Sequence, residues 1–360
     1  MPAASVDDPG DNDCAYRNGN EWWLDYVAGS LTWSSKPRKH PIIVAIFDDG
    51  AAIDHPALKN RLWTNEAEAR GKPGKDDDGN GYVDDVHGWD FVDDRPIASP
   101  EGVCRDRPSH GTFMASLIAA ERNAGIGMAA AGSDGARVMV LRIVGCGGDT
   151  AVDPQRIKRA VQYATRMGAR ILSFSAHWYV STPELDAVFE DIADRPDSAH
   201  SAIIVASVPN KGESAAGFPA AYPFRRIVRA IPIGNDDEIS PGTSAAPGGL
   251  NFGSPSACVI GATNAPGGFA MANGSSNSTA ILAGLLAGIW SSPAYAKFST
   301  DDFLTGVVRG RMLQSTRRSR PGLREPYLNG VPLADACMLL KVGRSARVCR
   351  RARGEQGARQ

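Results

Sequence analysis

Residues 273–290 read Asn-Gly-Ser-Ser-Asn-Ser-Thr-Ala-Ile-Leu-Ala-Gly-Leu-Leu-Ala-Gly-Ile-Trp, a Gly/Ser turn running into a segment that is apolar on every side. A segment of that pattern, rich in Ala and Gly, suits a helix buried all round and closely approached by its neighbours. Such a helix needs a large surrounding body. The chain has 360 residues, of which 42% are hydrophobic and 22% charged, enough to bury a sizeable core in one main domain. Ser276 opens the helix, where backbone N–H groups lack intrahelical partners and carry partial positive charge. A hydroxyl there is either a plain N-cap or a nucleophile beside a site that stabilises a developing oxyanion.

What precedes the helix decides between them. Pro41 to Phe47 reads as a fully buried strand that delivers Asp48-Asp49-Gly50 at its carboxyl end, where catalytic groups collect in open parallel sheets. His110 begins a second small-residue helix, Phe113 to Ala120, after Pro108-Ser109. Beyond it, strand patterns at 136–144, 169–175 and 202–207 alternate with helix patterns at 154–167 and 183–192. That alternation predicts an α/β fold with a mostly parallel central sheet, helices on both faces and right-handed crossovers. Leu58 to Trp63 reads as a short helix, and Thr300 to Val308 as a late one.

With these residues in view, the chain resembles the subtilisin-like serine proteases. Phe47-Asp48-Asp49-Gly50 with Asp54-His55-Pro56-Ala57-Leu58 is similar to that family's Asp block, in which Asp-Thr-Gly or Asp-Asp-Gly precedes His-Pro-x-Leu. His110-Gly111-Thr112-Phe113-Met114-Ala115 resembles its His block, with Phe113 in place of a second His. Gly274 to Gly284 aligns with its Ser block without a gap, departing at the Thr, the Met and the Pro-His pair. The Asp, His, Ser order is that of the subtilisin arrangement of the triad. Ile203 to Gly212 resembles the strand and loop whose Asn donates to the oxyanion, which puts Asn210 in that role. Gly242-Thr243-Ser244-Ala245-Ala246-Pro247 spells the Ser block more literally, but Gly248-Gly249 and Pro255 follow it and break any helix, so Ser244 reads as a loop residue.

The resemblance covers roughly residues 41–340 and implies a serine endopeptidase acting on a polypeptide substrate. Ser276 would be the nucleophile, His110 the general base, Asp48 its orienting carboxylate and Asn210 an oxyanion donor. The alternative is a subtilisin-like binding or regulatory module with weak or no turnover, which the drift around Ser276 and Asn210 favours. An esterase of the Gly-x-Ser-x-Gly type lacks its elbow here. Where the family commonly carries Leu-Gly-Gly along a groove that accepts extended peptide, this chain has Ser175 followed by Ala176-His177-Trp178. His177 and Trp178 are expected to fill that groove and select small side chains.

Asp76-x-Asp78-x-Asn80-Gly81-x-x-Asp84 matches the start of an EF-hand-type loop, although the twelfth position is His87 rather than Glu. The two readings are a structural Ca²⁺ site, which the family resemblance supports, and a solvated Asx-turn loop. Six cysteines, at 14, 104, 146, 258, 337 and 349, fall at no metal-ligand spacing and fit either up to three disulfides in an exported protein or buried free thiols. Cys337 and Cys349 are the first pair to expect, since they bracket a short segment. A net charge of −1 gives no bulk argument for nucleic acid, and no run approaches the roughly eighteen apolar residues of a membrane span. Residues 1–40 read as a polar N-terminal extension without a signal peptide, too short for a folding prodomain, and 341–360 as a basic solvated tail. Export would need a leader beyond this sequence; otherwise a cytoplasmic protein is expected. A monomer is expected.

Overall fold

The computed structural model of the chain describes residues 21–34, 38–97, 109–122, 128–146, 153–196, 198–209, 217–234, 238–240, 243, 249–312 and 331–340. Ten strands are described: β1 (Ile42–Asp48), β2 (Gly88–Asp90), β3 (Arg95–Pro96), β4 (Ala136–Arg142), β5 (Ile171–Phe174), β6 (Ile203–Ser207), β7 (Ile227–Ile233), β8 (Leu250–Pro255), β9 (Val259–Ala262) and β10 (Phe269–Ala272). Eight of them form one sheet in the order β3-β2-β4-β1-β5-β6-β7-β8, parallel throughout except for the β2–β3 edge pair. The antiparallel β9–β10 pair stands apart. A parallel sheet needs cover on both faces, and its strands here are the near-continuous apolar runs that such cover requires.

The four longer helices are α1 (His110–Ala119), α2 (Pro154–Arg166), α3 (Pro183–Ala193) and α4 (Ser275–Trp290). They divide between the faces. Val44, Ile46, Val138 and Val140 turn to the side of α1 and α4, whereas Ala45, Phe47, Met139 and Leu141 turn to the side of α2 and α3. This is the period-two alternation of a strand serving two cores. Helices α2 and α3 begin with Asp153 and Thr182 as side-chain N-caps followed at once by proline, the residue whose fixed φ and missing N–H suit a first turn.

Helix α4 lies at the centre of its face. Every residue from Ser275 to Trp290 is buried except Ser276. Small residues permit this: a Cβ at Gly284 would lie 2.5 Å from the Ile118 carbonyl oxygen of α1, so the two helices touch backbone to backbone. The segment at 22–32 belongs to the same core, with Trp23, Leu24 and Val27 buried and the Trp22 indole N–H donating to the Cys258 carbonyl at 3.2 Å. Among the described residues no helix is long and apolar enough to cross a membrane.

Two expected elements differ. Residues 58–61 form turns rather than a helix, because Leu62 joins β4 as a bridge to Val138 and the Trp63 N–H donates to the Val138 carbonyl at 2.8 Å. The late helix starts as expected at Thr300, capped by Ser299, but continues from Phe303 to Met312 in wider π turns. Cys146, Cys258 and Cys337, the cysteines among the described residues, are all disulfide-bonded, which favours the oxidised of the two readings. The expected partner Cys349 lies outside the described residues, as do the tail and most of the N-terminal extension.

Candidate active site

The carboxyl edge of the sheet assembles the site. Phe47 of β1 pairs with Phe174 of β5, so the next residues of the two strands, Asp48 and Ser175, leave the edge side by side. Each holds the start of a helix. Asp48, 5% exposed, places both carboxylate oxygens 2.9 Å from His110 Nδ1 at the first residue of α1. Ser175 meets the start of α4 by reciprocal hydrogen bonds. The Ser276 hydroxyl donates to the Ser175 carbonyl at 3.2 Å, and the Ser175 hydroxyl donates to the Ser276 carbonyl at 3.3 Å. Both helices thus depart from the same edge, and the close contact between Ile118 and Gly284 falls the same number of residues past His110 as past Ser276. His110 and Ser276 thus stand at the same sheet edge, one on Asp48 and the other on Ser175.

The electrostatics suit a base on that mouth. With both Asp48 oxygens accepting, Nδ1 carries the proton and Nε2 is left as the acceptor. Desolvation works against a charged imidazole, but the charge and hydrogen bond of Asp48 and the charge of Asp49 outweigh it, holding the His110 pKa above its ordinary value. The ring remains 43% exposed on the side away from the carboxylate. Gly111 lets α1 approach this closely: a Cβ there would sit 2.0 Å from the Gly50 carbonyl oxygen and 3.0 Å from the Asp48 Cβ.

The start of α4 is held by residues whose sequence reads as drift from the Ser block. Asn277, 2% exposed, donates its amide to the carbonyls of Ser256 at 3.1 Å and Ala272 at 2.9 Å. The Ser278 hydroxyl lies between the carbonyls of Ser254 and Pro255 at 2.8 and 3.0 Å. Together they tie the helix start to the ends of β8 and β10. The N-cap position is Gly274, which has no side chain to accept from the first N–H groups, and the Asn277 N–H donates to the Gly274 carbonyl at 3.1 Å. Asn210 and Ser244 lie outside the described residues.

A family model described as the subtilase family, Peptidase_S8, matches residues 39–330. The chain belongs to the subtilase family. Subtilisin-like protease 1 of Plasmodium vivax is 38% identical over 128 residues, covering 35% of this chain and 19% of that protein. Subtilisin-like protease 1 of Plasmodium falciparum (isolate 3D7) is 36% identical over 85 residues, covering 24% of this chain and 12% of that protein. The matched stretches thus span less than a fifth of these relatives' length. Among solved structures, the Prenylagaramide maturation protease PagA superposes with a TM-score of 0.63 over 87% of this chain and 97% of its own, at 15% identity, a likeness of fold. The mostly parallel eight-stranded sheet with helices on both faces is the subtilisin-like architecture.

The residues expected to line the groove separate. Ser175, Ala176 and His177 are half-buried, and Ser175 is the one hydrogen-bonded to Ser276. The His177 ring packs where a Cβ at Gly217 would be, 3.0 Å from its Cβ and Cδ2, and its Nε2 is 3.1 Å from the Tyr179 hydroxyl. Trp178 does not fill the groove. It is 6% exposed, turned into the core between Phe174 and Phe189 with ring centroids 5.8 Å from each, while its backbone pairs with Phe218. Alternation explains the split: neighbours in an extended segment point to opposite sides.

In the acidic loop, Glu68, Asp76 and Asp78 each offer a carboxylate oxygen within 4.8 Å of the others. Glu68 lies outside the motif, on a short helix capped by Asn65, and loop spacing alone gives no signal for it. Asp84, in a left-handed conformation, falls outside that group and accepts from the Gly74 N–H at 2.7 Å. The Asn80 side-chain oxygen accepts from the Tyr82 N–H at 2.7 Å.

Proposed function

We propose that this subtilase is a serine endopeptidase working through Asp48, His110 and Ser276. The observation that carries the reading is the meeting of the Asp48–His110 pair and the start of buried helix α4 at one sheet edge. Ser276 Oγ attacks a peptide carbonyl while His110 Nε2 takes its proton. The imidazolium then returns that proton to the leaving amine, and Asp48 holds the tautomer and stabilises the charge. Water reverses the sequence on the acyl-enzyme. The Ser276 backbone N–H and the Asn210 amide bind the oxyanion, and loss of one such donor costs about 10²- to 10³-fold in turnover. His177 narrows the groove beside the nucleophile and favours small side chains.

Glu68, Asp76 and Asp78 would hold a Ca²⁺ ion, joined by Asn80 and Asp84 through modest side-chain turns. Converging hard oxygen donors fit that cation. The ion's contribution is structural, crosslinking the 71–85 loop to the helix that carries Glu68.

One observation favours a weakly active binding module instead: the Ser276 hydroxyl rests on the Ser175 carbonyl, which it must leave to donate to His110. Hydrolysis of casein and of a peptide library separates the two readings. Turnover that disappears in Ser276→Ala with the fold intact supports the peptidase. Stoichiometric peptide binding without turnover supports the module.

A further inference from the structure

Beside Asp48 stands a second carboxylate that the proposed chemistry does not use. Asp49 is 2% exposed, and it accepts from three donors at the start of α1: the Ser109 hydroxyl at 3.0 Å and the backbone N–H groups of His110 at 3.1 Å and Gly111 at 2.8 Å. Its own N–H donates to Asp48 Oδ1 at 2.8 Å. One two-residue turn therefore grips both ends of the same problem, the imidazole through Asp48 and the helix that presents it through Asp49. A carboxylate on the first N–H groups of a helix is favoured by their partial positive charge. Yet two carboxylates side by side and out of water repel, and burial together with the Asp48 charge pushes the Asp49 pKa up. A hydroxyl at this position, as in the Asp-Thr-Gly form of the block, would accept a bond without that cost. Three donors nonetheless converge on its two oxygens, the pattern of an acceptor-only carboxylate.

We infer that Asp49 is a positioning residue for His110 and its second counter-charge, fixing the helix start on the Asp48 turn and favouring the protonated imidazole. The inference rests on the peptidase reading for its meaning in catalysis, but the electrostatic link holds whether or not the protein turns over. Two carboxylates act on the His110 charge, Asp48 at the end of β1 and Asp49 directly after it. Asp49 raises the His110 pKa through space while Asp48 does so by contact. Removing the Asp49 charge lowers the midpoint of His110, and the acid limb of kcat/KM, which follows neutral imidazole, moves to lower pH. Loosening the helix start lowers kcat about 10- to 100-fold with KM little changed, since groups near the scissile bond rather than the peptide-binding surface are disturbed.

The test uses the full chain with Asp49→Asn and Asp49→Thr, each keeping an acceptor for the helix N–H groups. NMR titration of the His110 imidazole, assigned by its loss in His110→Gln, is run in a Ser276→Ala background so that the readout does not depend on turnover. A lower His110 midpoint in both variants is the expected result. An unchanged or higher midpoint in a folded variant overturns the inference, and so does failure of both variants to fold, which would make Asp49 a structural residue alone. A lowered midpoint in a protein whose Ser276 never turns over peptide would leave Asp49 in place and remove the peptidase reading.

Discussion

Truncating Asn277 tests whether the departures from the family's Ser block are loss or replacement. Its amide makes two hydrogen bonds to main-chain carbonyls, and one acceptor, Ser256, keeps a second partner in the Gly274 N–H at 3.0 Å. Asn277→Ala therefore removes two bonds and leaves a small void, a cost of about 2–3 kcal/mol. For a domain of this size that corresponds to a Tm decrease of roughly 4–8 °C. The helix start carries Ser276, so kcat should fall about 10- to 100-fold while KM stays near its original value. Asn277→Asp keeps the shape but faces two carbonyls with a carboxylate. Its folded-state pKa is then raised above the unfolded value, so its stability is greatest below the unfolded pKa and is lost as pH rises through the folded one. At neutral pH the Asp variant should be less stable than the Ala variant, with the order closing on acidification. Calorimetry across pH and turnover of a fluorogenic peptide check this. An Asp variant within about 2 °C of the parent at neutral pH would refute the reasoning.

Three further outcomes follow from the same geometry. His177→Gly should widen the groove and shift peptide-library preference toward larger side chains at the first position, and a parent that already cleaves large aromatics best would remove the narrowed pocket. Calcium added to chelator-treated protein should release heat and raise Tm, both lost in Asp76→Asn/Asp78→Asn, whereas no heat and no Tm change would leave the loop as a set of Asx turns. Arg226, fully buried, and Arg225 bind Asp301 at 2.6 and 2.9 Å, and the Arg226 hydrogen bond foremost holds the Asp301 pKa below its ordinary value. That stability is present above the unfolded pKa and lost as pH falls through the depressed one, so Asp301→Asn should cost about 3 kcal/mol at neutral pH and flatten the acid limb of Tm against pH.

The sheet, its two covered faces and the carboxyl-edge meeting of Asp48 and His110 were legible because buried parallel strands are written as apolar runs and buried helices as Ala/Gly stretches. Properties set by distant partners were not. Trp178 follows a strand whose alternation continues past its end, so its side depended on where Phe174 and Phe189 lie. Glu68 joins the acidic loop from a separate turn of helix, outside any motif spacing. Leu58 to Trp63 has helix-like apolar spacing, but hydrogen bonds to β4 claim its end. Asn277 read as drift because its role lies in two carbonyls, Ser256 and Ala272, that the local sequence does not reveal as acceptors.

The central claim concerns one hydroxyl. A fluorophosphonate reacts with a serine whose hydroxyl donates to a base and faces an oxyanion site, so peptide mapping after labelling reports chemistry rather than sequence likeness. The account predicts a single phosphonylated serine, Ser276, with labelling abolished in Ser276→Ala, strongly slowed in His110→Ala and unchanged in Ser244→Ala. Labelling at Ser244, or no labelling at Ser276 in a folded, calcium-supplied sample, would contradict it.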